Sequence, residues 1–146
     1  MADVNDLRRG RHCVTALHVH LVFVTKYRND VFTPPALLRL KEIFSKVCSD
    51  FGAVLVESNG EADQVHLLVE YQSKTSVAAL VNSLKGVSSR LLRSEIPMLA
   101  DRYYKGVLWS PSYFAASCGG APLSILQQYI DNQKINGTPL SKPGVR

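Results

Sequence analysis

Two pairs of residues in this sequence have the types and spacing to do phosphoryl chemistry together. The first is Gln64 and His66, two positions apart in the apolar run Asp63-Gln64-Val65-His66-Leu67-Leu68-Val69. Successive side chains on a strand point to opposite faces, so Gln64 and His66 share one face while Val65 and Leu67 take the other. Two metal-capable side chains on a rigid strand are half of a ligand set; by themselves they are more often a hydrogen-bonded structural pair. The second pair is Tyr129 and Gln133, four positions apart in a helical stretch and hence one above the other on the same face. The ordinary reading there is a tyrosine packed on the sheet with its hydroxyl satisfied. The chemical reading is a nucleophile beside a ligand. A phenol has a pKa of about 10, so its attack on phosphorus needs a nearby base or cation. A metal held by His66 and Gln133 could supply that cation.

The elements that must position these residues follow from periodicity. Val14 to Lys26 is rich in β-branched and apolar residues and predicts a long central strand. Thr33-Pro34-Pro35 starts a helix whose apolar residues recur at helical spacing to about Asp50, and Gly52 ends it. Ala53 to Ser58 predicts a second strand, Asn59-Gly60 a hairpin turn, and Val65 to Tyr71 a third strand. Ser73 to Ser76 offers caps for a second helix with Leu80, Val81, Leu84 and Val87 on its apolar stripe, and Pro97 breaks it. Val107 to Ala116 predicts a fourth strand, and Pro111 within it implies an edge or a bulge. Gly119-Gly120 is a joint, Pro122 opens a last helix to about Asn136, and Gly137, Pro139 and Pro143 mark a tail.

The predicted order β-α-β-β-α-β-α is the ferredoxin-like split β-α-β plan of the α+β class: a four-stranded antiparallel sheet with helices on one face, here with an added C-terminal helix carrying the tyrosine. In that plan the first and third strands are central neighbours, which puts His66 in mid-sheet. The whole chain, 1–146, is read as one domain, with a flexible basic arm over 1–12, a catalytic core over 13–136 and a tail over 137–146.

At 146 residues the chain can bury a core without disulfides or a structural metal. Three widely spaced cysteines, Cys13, Cys48 and Cys118, with no CxxC pair, point to reduced thiols and a cytoplasmic protein. No apolar run reaches the roughly twenty residues that span a bilayer, and no signal peptide is expected. A net charge of +5 suits a polyanionic partner without proving one.

Six segments in register carry a resemblance. They are His20-Leu-Val-Phe-Val-Thr-Lys26-Tyr27-Arg28, Asp63-x-Val65-His66-Leu-Leu-Val, Leu84-Lys85-Gly86-x-Ser-Ser-Arg90, Leu108-Trp109-Ser-Pro-Ser-Tyr113-Phe, Gly119-Gly120-Ala-Pro-Leu and Gln128-Tyr129-Ile-Asp-Asn132-Gln133. Together they resemble the small single-tyrosine HUH transposases of the insertion-sequence 200/605 group, over nearly everything from residue 14 to residue 136. The resemblance implies a dimeric enzyme that cuts and rejoins single-stranded DNA at the ends of a mobile element and recognises hairpins there. Tyr129 matches the nucleophile that forms a 5′-phosphotyrosine, His66 the second histidine of the metal motif, and Gln133 the third ligand. The implied cofactor is Mg2+ or Mn2+. Active sites shared between subunits are also implied, with Gly119-Gly120 as the joint that lets the tyrosine helix move.

One position departs from that pattern: Gln64 stands where the first histidine of the motif would be. A glutamine carbonyl oxygen suits a hard divalent ion but is a poorer donor than imidazole. Two readings follow, an active Gln-Val-His variant or a catalytically impaired relative that still binds hairpin DNA. A third, outside both, is a ferredoxin-like regulatory module sharing only the fold. His18-Val19-His20 spells His-apolar-His outright, but it lies on the first strand, and the expectation is that both are strand residues near the site or near DNA. Arg11, Lys26, Arg28, Lys85, Arg90 and Arg93, with Arg8 and Arg9, could frame a DNA surface that gives affinity and salt dependence. Trp109, Tyr113 and Phe114 are candidates for base stacking or for the core.

Overall fold

Every other strand is placed by β1 (Ala16–Thr25), which pairs antiparallel with β3 (Gln64–Gln72) on one side and β4 (Trp109–Ser117) on the other. With β2 (Val54–Glu61) paired to the far side of β3, the sheet order is β2-β3-β1-β4. The computed structural model describes residues 16–103 and 105–117. The expected α+β plan is present: four antiparallel strands with helices on one face, β1 and β3 central.

Two long helices cover that face. In α1 (Pro34–Asp50), the Thr33 hydroxyl accepts from Ala36 N at 3.3 Å, and the prolines sit in the first turn where no N–H partner is lost. Gly52 then takes φ +71°, the left-handed conformation that ends a helix cheaply only without a Cβ. In α2 (Val77–Glu95) the cap is Ser76, accepting from Ala79 N at 3.1 Å. Val19, Leu21 and Phe23 of β1 and Val65, Leu67 and Val69 of β3 join Leu40, Phe44, Leu80 and Leu84 in the main core. Side-chain alternation therefore sends His18, His20, Val22 and Val24, with Gln64, His66 and Leu68, to the opposite face. On that face the described apolar packing is Val22 against Phe114.

Three expectations change. The β2–β3 hairpin turns at Ala62–Asp63, not at Asn59-Gly60, which stay in β2 opposite His66 and Val65. The turn is held from outside: Ala62 O accepts from Val31 N and Phe32 N, and Asp63 O from Thr25 N, each at 2.9 Å. Gly60 is a tight position, since a Cβ there would stand 2.5 Å from Leu37 Cδ2 and the half-buried leucine would have to turn aside. Pro97 breaks α2 and also opens α3 (Pro97–Arg102), a short helix the periodicity did not signal. β4 starts at Trp109, not Val107, while the edge position and bulge expected from Pro111 are present: the register shifts opposite Phe23 to Thr25 in the stretch that holds Pro111.

Between β1 and α1 the chain makes a tight 3-10 turn, Lys26–Arg28. Tyr27 and Arg28 both adopt positive φ, +66° and +54°, which costs side chains with a Cβ on the order of 1–3 kcal/mol each. Four contacts brace it: Arg28 Nε to Asp63 Oδ2 at 3.0 Å, Thr25 Oγ1 to Asn29 O at 2.8 Å, Tyr103 OH to Lys26 O at 3.1 Å, and Asn29 Nδ2 to Tyr103 OH at 3.2 Å.

Candidate active site

The β1–β3 register sets Val22 opposite His66 and Val24 opposite Gln64, so both polar side chains rise from the middle of the sheet on the face away from α1 and α2. Gln64 and His66 are 4% and 6% exposed. A buried amide and a buried imidazole are expensive unless their polar atoms find partners. Gln64 solves half of this: its Nε2 donates to Glu61 Oε1 at 3.1 Å across the hairpin, while its buried Oε1 has no hydrogen-bond partner among the described residues. A carboxylate only accepts, so the amide must turn its NH2 toward Glu61, and the carbonyl oxygen is left over. That oxygen is the donor a hard cation would use. Glu61 had no sequence signal, because the turn predicted at Asn59-Gly60 separates it from Gln64.

His20 belongs to the same cluster. Its ring is stacked on His66 with centroids 5.8 Å apart and planes inclined 30°, and it meets Phe114 edge-on at 6.3 Å. Burial pushes the His20 imidazole below its usual pKa, which favours the neutral form, and its Nδ1 has no hydrogen-bond partner among the described residues. Its neighbour in the His-apolar-His decoy, His18, sits at the rim with Nε2 3.5 Å from Glu70 Oε1. The structure thus splits the decoy: His20 reaches His66 and His18 does not.

Among the described residues no group of three or more His, Cys, Asp or Glu could hold a metal ion. Gln64 with His66 fits a hard divalent ion only if a further ligand comes from elsewhere. Tyr129, Gln133, Arg11, the 1–12 arm, Gly119-Gly120 and the tail lie outside the described residues.

The basic candidates divide. Lys26 and Arg28 lie at the sheet end beside Gln64, Lys26 half-buried and Arg28 exposed but paired to Asp63. Lys85, Arg90 and Arg93 are on α2, behind the sheet. Lys85 Nζ donates to Ser110 O at 2.7 Å and to Pro111 O at 3.3 Å, over the Tyr113 ring at 5.4 Å, and burial lowers its pKa. Arg93 Nε donates to Ser89 Oγ at 3.1 Å, and Arg90 is exposed. Of the aromatic candidates, Trp109 is core: it is 2% exposed and its Nε1 donates to Ser88 Oγ at 2.9 Å. Tyr113 is at the surface and Phe114 packs on the histidine face. A second basic cluster, Arg102 and Lys105 facing Lys26 and Tyr27 across a cavity, was not signalled by spacing.

The family model described as "Transposase IS200 like" matches residues 13–133. The ISDra2 transposase TnpA of Deinococcus radiodurans is 29% identical over 128 residues, covering 88% of this chain and 91% of that protein. The transposase for insertion sequence element IS200 of Salmonella typhimurium is 31% identical over 114 residues, 78% of this chain and 74% of that one. A crystal structure from Deinococcus radiodurans R1, described as a transposase, is similar with a TM-score of 0.70 at 35% identity, covering 85% of this chain and 95% of that one. A REP-associated tyrosine transposase bound to a REP hairpin has the same fold, with a TM-score of 0.53 at 10% identity over 83% and 68% of the two chains. The fold and a family match running through residue 133 agree, and the chain belongs to the IS200-like family of transposases.

Proposed function

We propose that this transposase cleaves and rejoins single-stranded DNA at element ends through a 5′-phosphotyrosine on Tyr129, with Mg2+ or Mn2+ held by Gln64, His66 and Gln133, and that it recognises DNA hairpins as a homodimer with shared active sites. The observation that carries the reading is the buried pair Gln64 and His66 on one face of β3, with no hydrogen-bond partner for Gln64 Oε1 among the described residues. An amide oxygen and an imidazole nitrogen form a donor set that a hard divalent ion accepts. Such an ion, when bound, polarises a non-bridging phosphate oxygen as a Lewis acid.

The protein's own residues do the rest. The Tyr129 phenol oxygen bonds to phosphorus, its proton passes to solvent or to a base, and the 3′ oxygen leaves as a 3′-OH. The phosphotyrosine keeps a high-energy linkage, so resealing by a 3′-OH needs no nucleotide cofactor. His66 is held in register by ladders on both sides, to Val22 and to Asn59, which fixes its position. Arg11, Lys26, Arg28, Arg90 and Arg93 supply phosphate contacts. Lys85, engaged by two carbonyls, braces β4 instead.

The test uses the full chain with a hairpin oligonucleotide carrying an element end, in Mn2+, and reads a covalent protein–DNA adduct on a denaturing gel. An adduct lost in Tyr129→Phe supports the reading. No adduct from this chain but a strong one from Gln64→His shows a hairpin-binding relative disabled at Gln64. Failure to bind hairpin or single-stranded DNA at all overturns both.

A further inference from the structure

We propose that the pocket between the Lys26–Arg28 turn and the α3–β4 connection takes one unpaired nucleotide of single-stranded DNA. Its base would lie on the Tyr27 ring and its phosphates among Lys26, Arg102 and Lys105. The inference rests on the reading of this chain as a single-stranded DNA transposase and adds a subsite to it.

The pocket is a cavity of about 120 Å3 lined by Lys26, Tyr27, Arg102, Tyr103, Lys105 and Val107. A single water needs only about 10–15 Å3 on the same measure, so the space suits a ring system. Three cations and two phenols line it, with no carboxylate among the described lining residues. Cations that track phosphates, interleaved with aromatic faces, are what an unstacked nucleotide requires; a base inside a duplex has no free π-face to offer.

The turn itself supplies a second, independent observation. Two successive non-glycine residues, Tyr27 and Arg28, stand in the left-handed region, and three tertiary contacts and one local bond hold the turn there. What this strained backbone presents is a tyrosine ring 76% exposed to water. Stability does not call for that arrangement, since a glycine would adopt the turn freely and no ring would be left in solvent. The Lys26 ammonium sits 5.4 Å from the centre of the Tyr27 ring, covering one face and leaving the other for a base. Tyr103 ties the pocket floor to the strand end by donating to Lys26 O.

Location gives the subsite its role. Val24, two residues before Lys26, is opposite Gln64, so the pocket lies at the end of β1 nearer Gln64 than His66. A nucleotide held there flanks the scissile phosphate and sets the path of the strand into the site.

The experiment measures binding of the full chain to a hairpin with a single-stranded flank in which 2-aminopurine replaces one flanking base at a time, by anisotropy and by quenching. Tyr27→Gly removes the ring while favouring the turn, so thermal melting should show the fold retained. Its affinity for the flanked hairpin should fall about tenfold, with quenching lost at one flanking position; Tyr27→Phe should keep both. A blunt hairpin should bind Tyr27→Gly and the native chain alike. Arg102→Ala and Lys105→Ala should each lower the salt dependence of flank binding by about one phosphate contact. Native binding with Tyr27→Gly indistinguishable from it, or Tyr27→Phe as weak as Tyr27→Gly, overturns the pocket and leaves the transposase reading standing. A native chain that binds neither DNA overturns that reading and the pocket with it.

Discussion

Gln64 donates its side-chain N–H to Glu61 Oε1 at 3.1 Å across the two-residue turn that joins β2 to β3, and its buried carbonyl oxygen has no partner among the described residues. Glu61 thereby fixes which end of the amide is available. A glutamine free to rotate would offer NH2 and oxygen in turn, and only the oxygen can meet a cation. Gln64 thus comes with a neighbour that orients its amide.

Removing that neighbour should weaken the site without touching a ligand. Partners that orient ligands are typically worth 10–100-fold in metal affinity. Glu61→Ala should lower Mn2+ affinity about tenfold in calorimetric titration of the full chain, while Gln64→His should raise it. Equal affinity in Glu61→Ala and the native chain would remove the orienting role.

Gly60 should accept a methyl group only if its neighbours give way. A Cβ there would meet Leu37 Cδ2 at 2.5 Å, Gln64 O at 3.2 Å and Val65 Cγ1 at 3.2 Å. Gly60→Ala should cost about 1–3 kcal/mol in urea unfolding, the usual range for overpacking. Combining it with Leu37→Ala should recover part of that loss, a coupling visible in a double-mutant cycle.

Lys85 and Arg90 share a helix but should separate into a brace and a surface charge. Lys85→Met loses charge-assisted bonds to Ser110 O and Pro111 O and should destabilise the fold by about 1–3 kcal/mol while leaving the salt slope of DNA binding unchanged. Arg90→Ala should do the reverse, keeping stability and lowering the slope by about one contact. A salt slope reduced by Lys85→Met would show that the ammonium leaves its carbonyls for DNA.

Cys48 should make the protein sensitive to alkali. The thiol is fully buried, and burial raises its pKa from an ordinary value of 9.0 to about 11. Above pH 9 the unfolded chain releases this proton while the folded chain keeps it, so the folded state binds more protons. The contribution is complete below pH 9 and is lost as pH rises toward 11, at no more than about 1.4 kcal/mol per pH unit. Lys85 has the opposite sign, because its lowered pKa lets the unfolded chain hold the extra proton. Urea unfolding at pH 8, 9 and 10 should therefore show a falling component that disappears in Cys48→Ala.

The sequence by itself determined what is local. Alternation put Gln64 and His66 on one face of a strand, Thr33 and Ser76 announced the helix starts, and the β-α-β-β-α-β order was enough to place β1 beside β3. These signals work because side-chain direction and capping depend on neighbours a few residues away. Tertiary structure alone decided the rest. The hairpin turns at Ala62–Asp63 because their carbonyls are bound by Thr25, Val31 and Phe32, while Gly60 stays in the strand to admit Leu37. Trp109 belongs to the core because α2 brings Ser88 to its indole N–H. His20 stacks on His66, and Arg102 with Lys105 faces Tyr27, because strands and loops far apart in the chain meet there. No spacing rule carries such meetings; they follow from which surfaces bury each other.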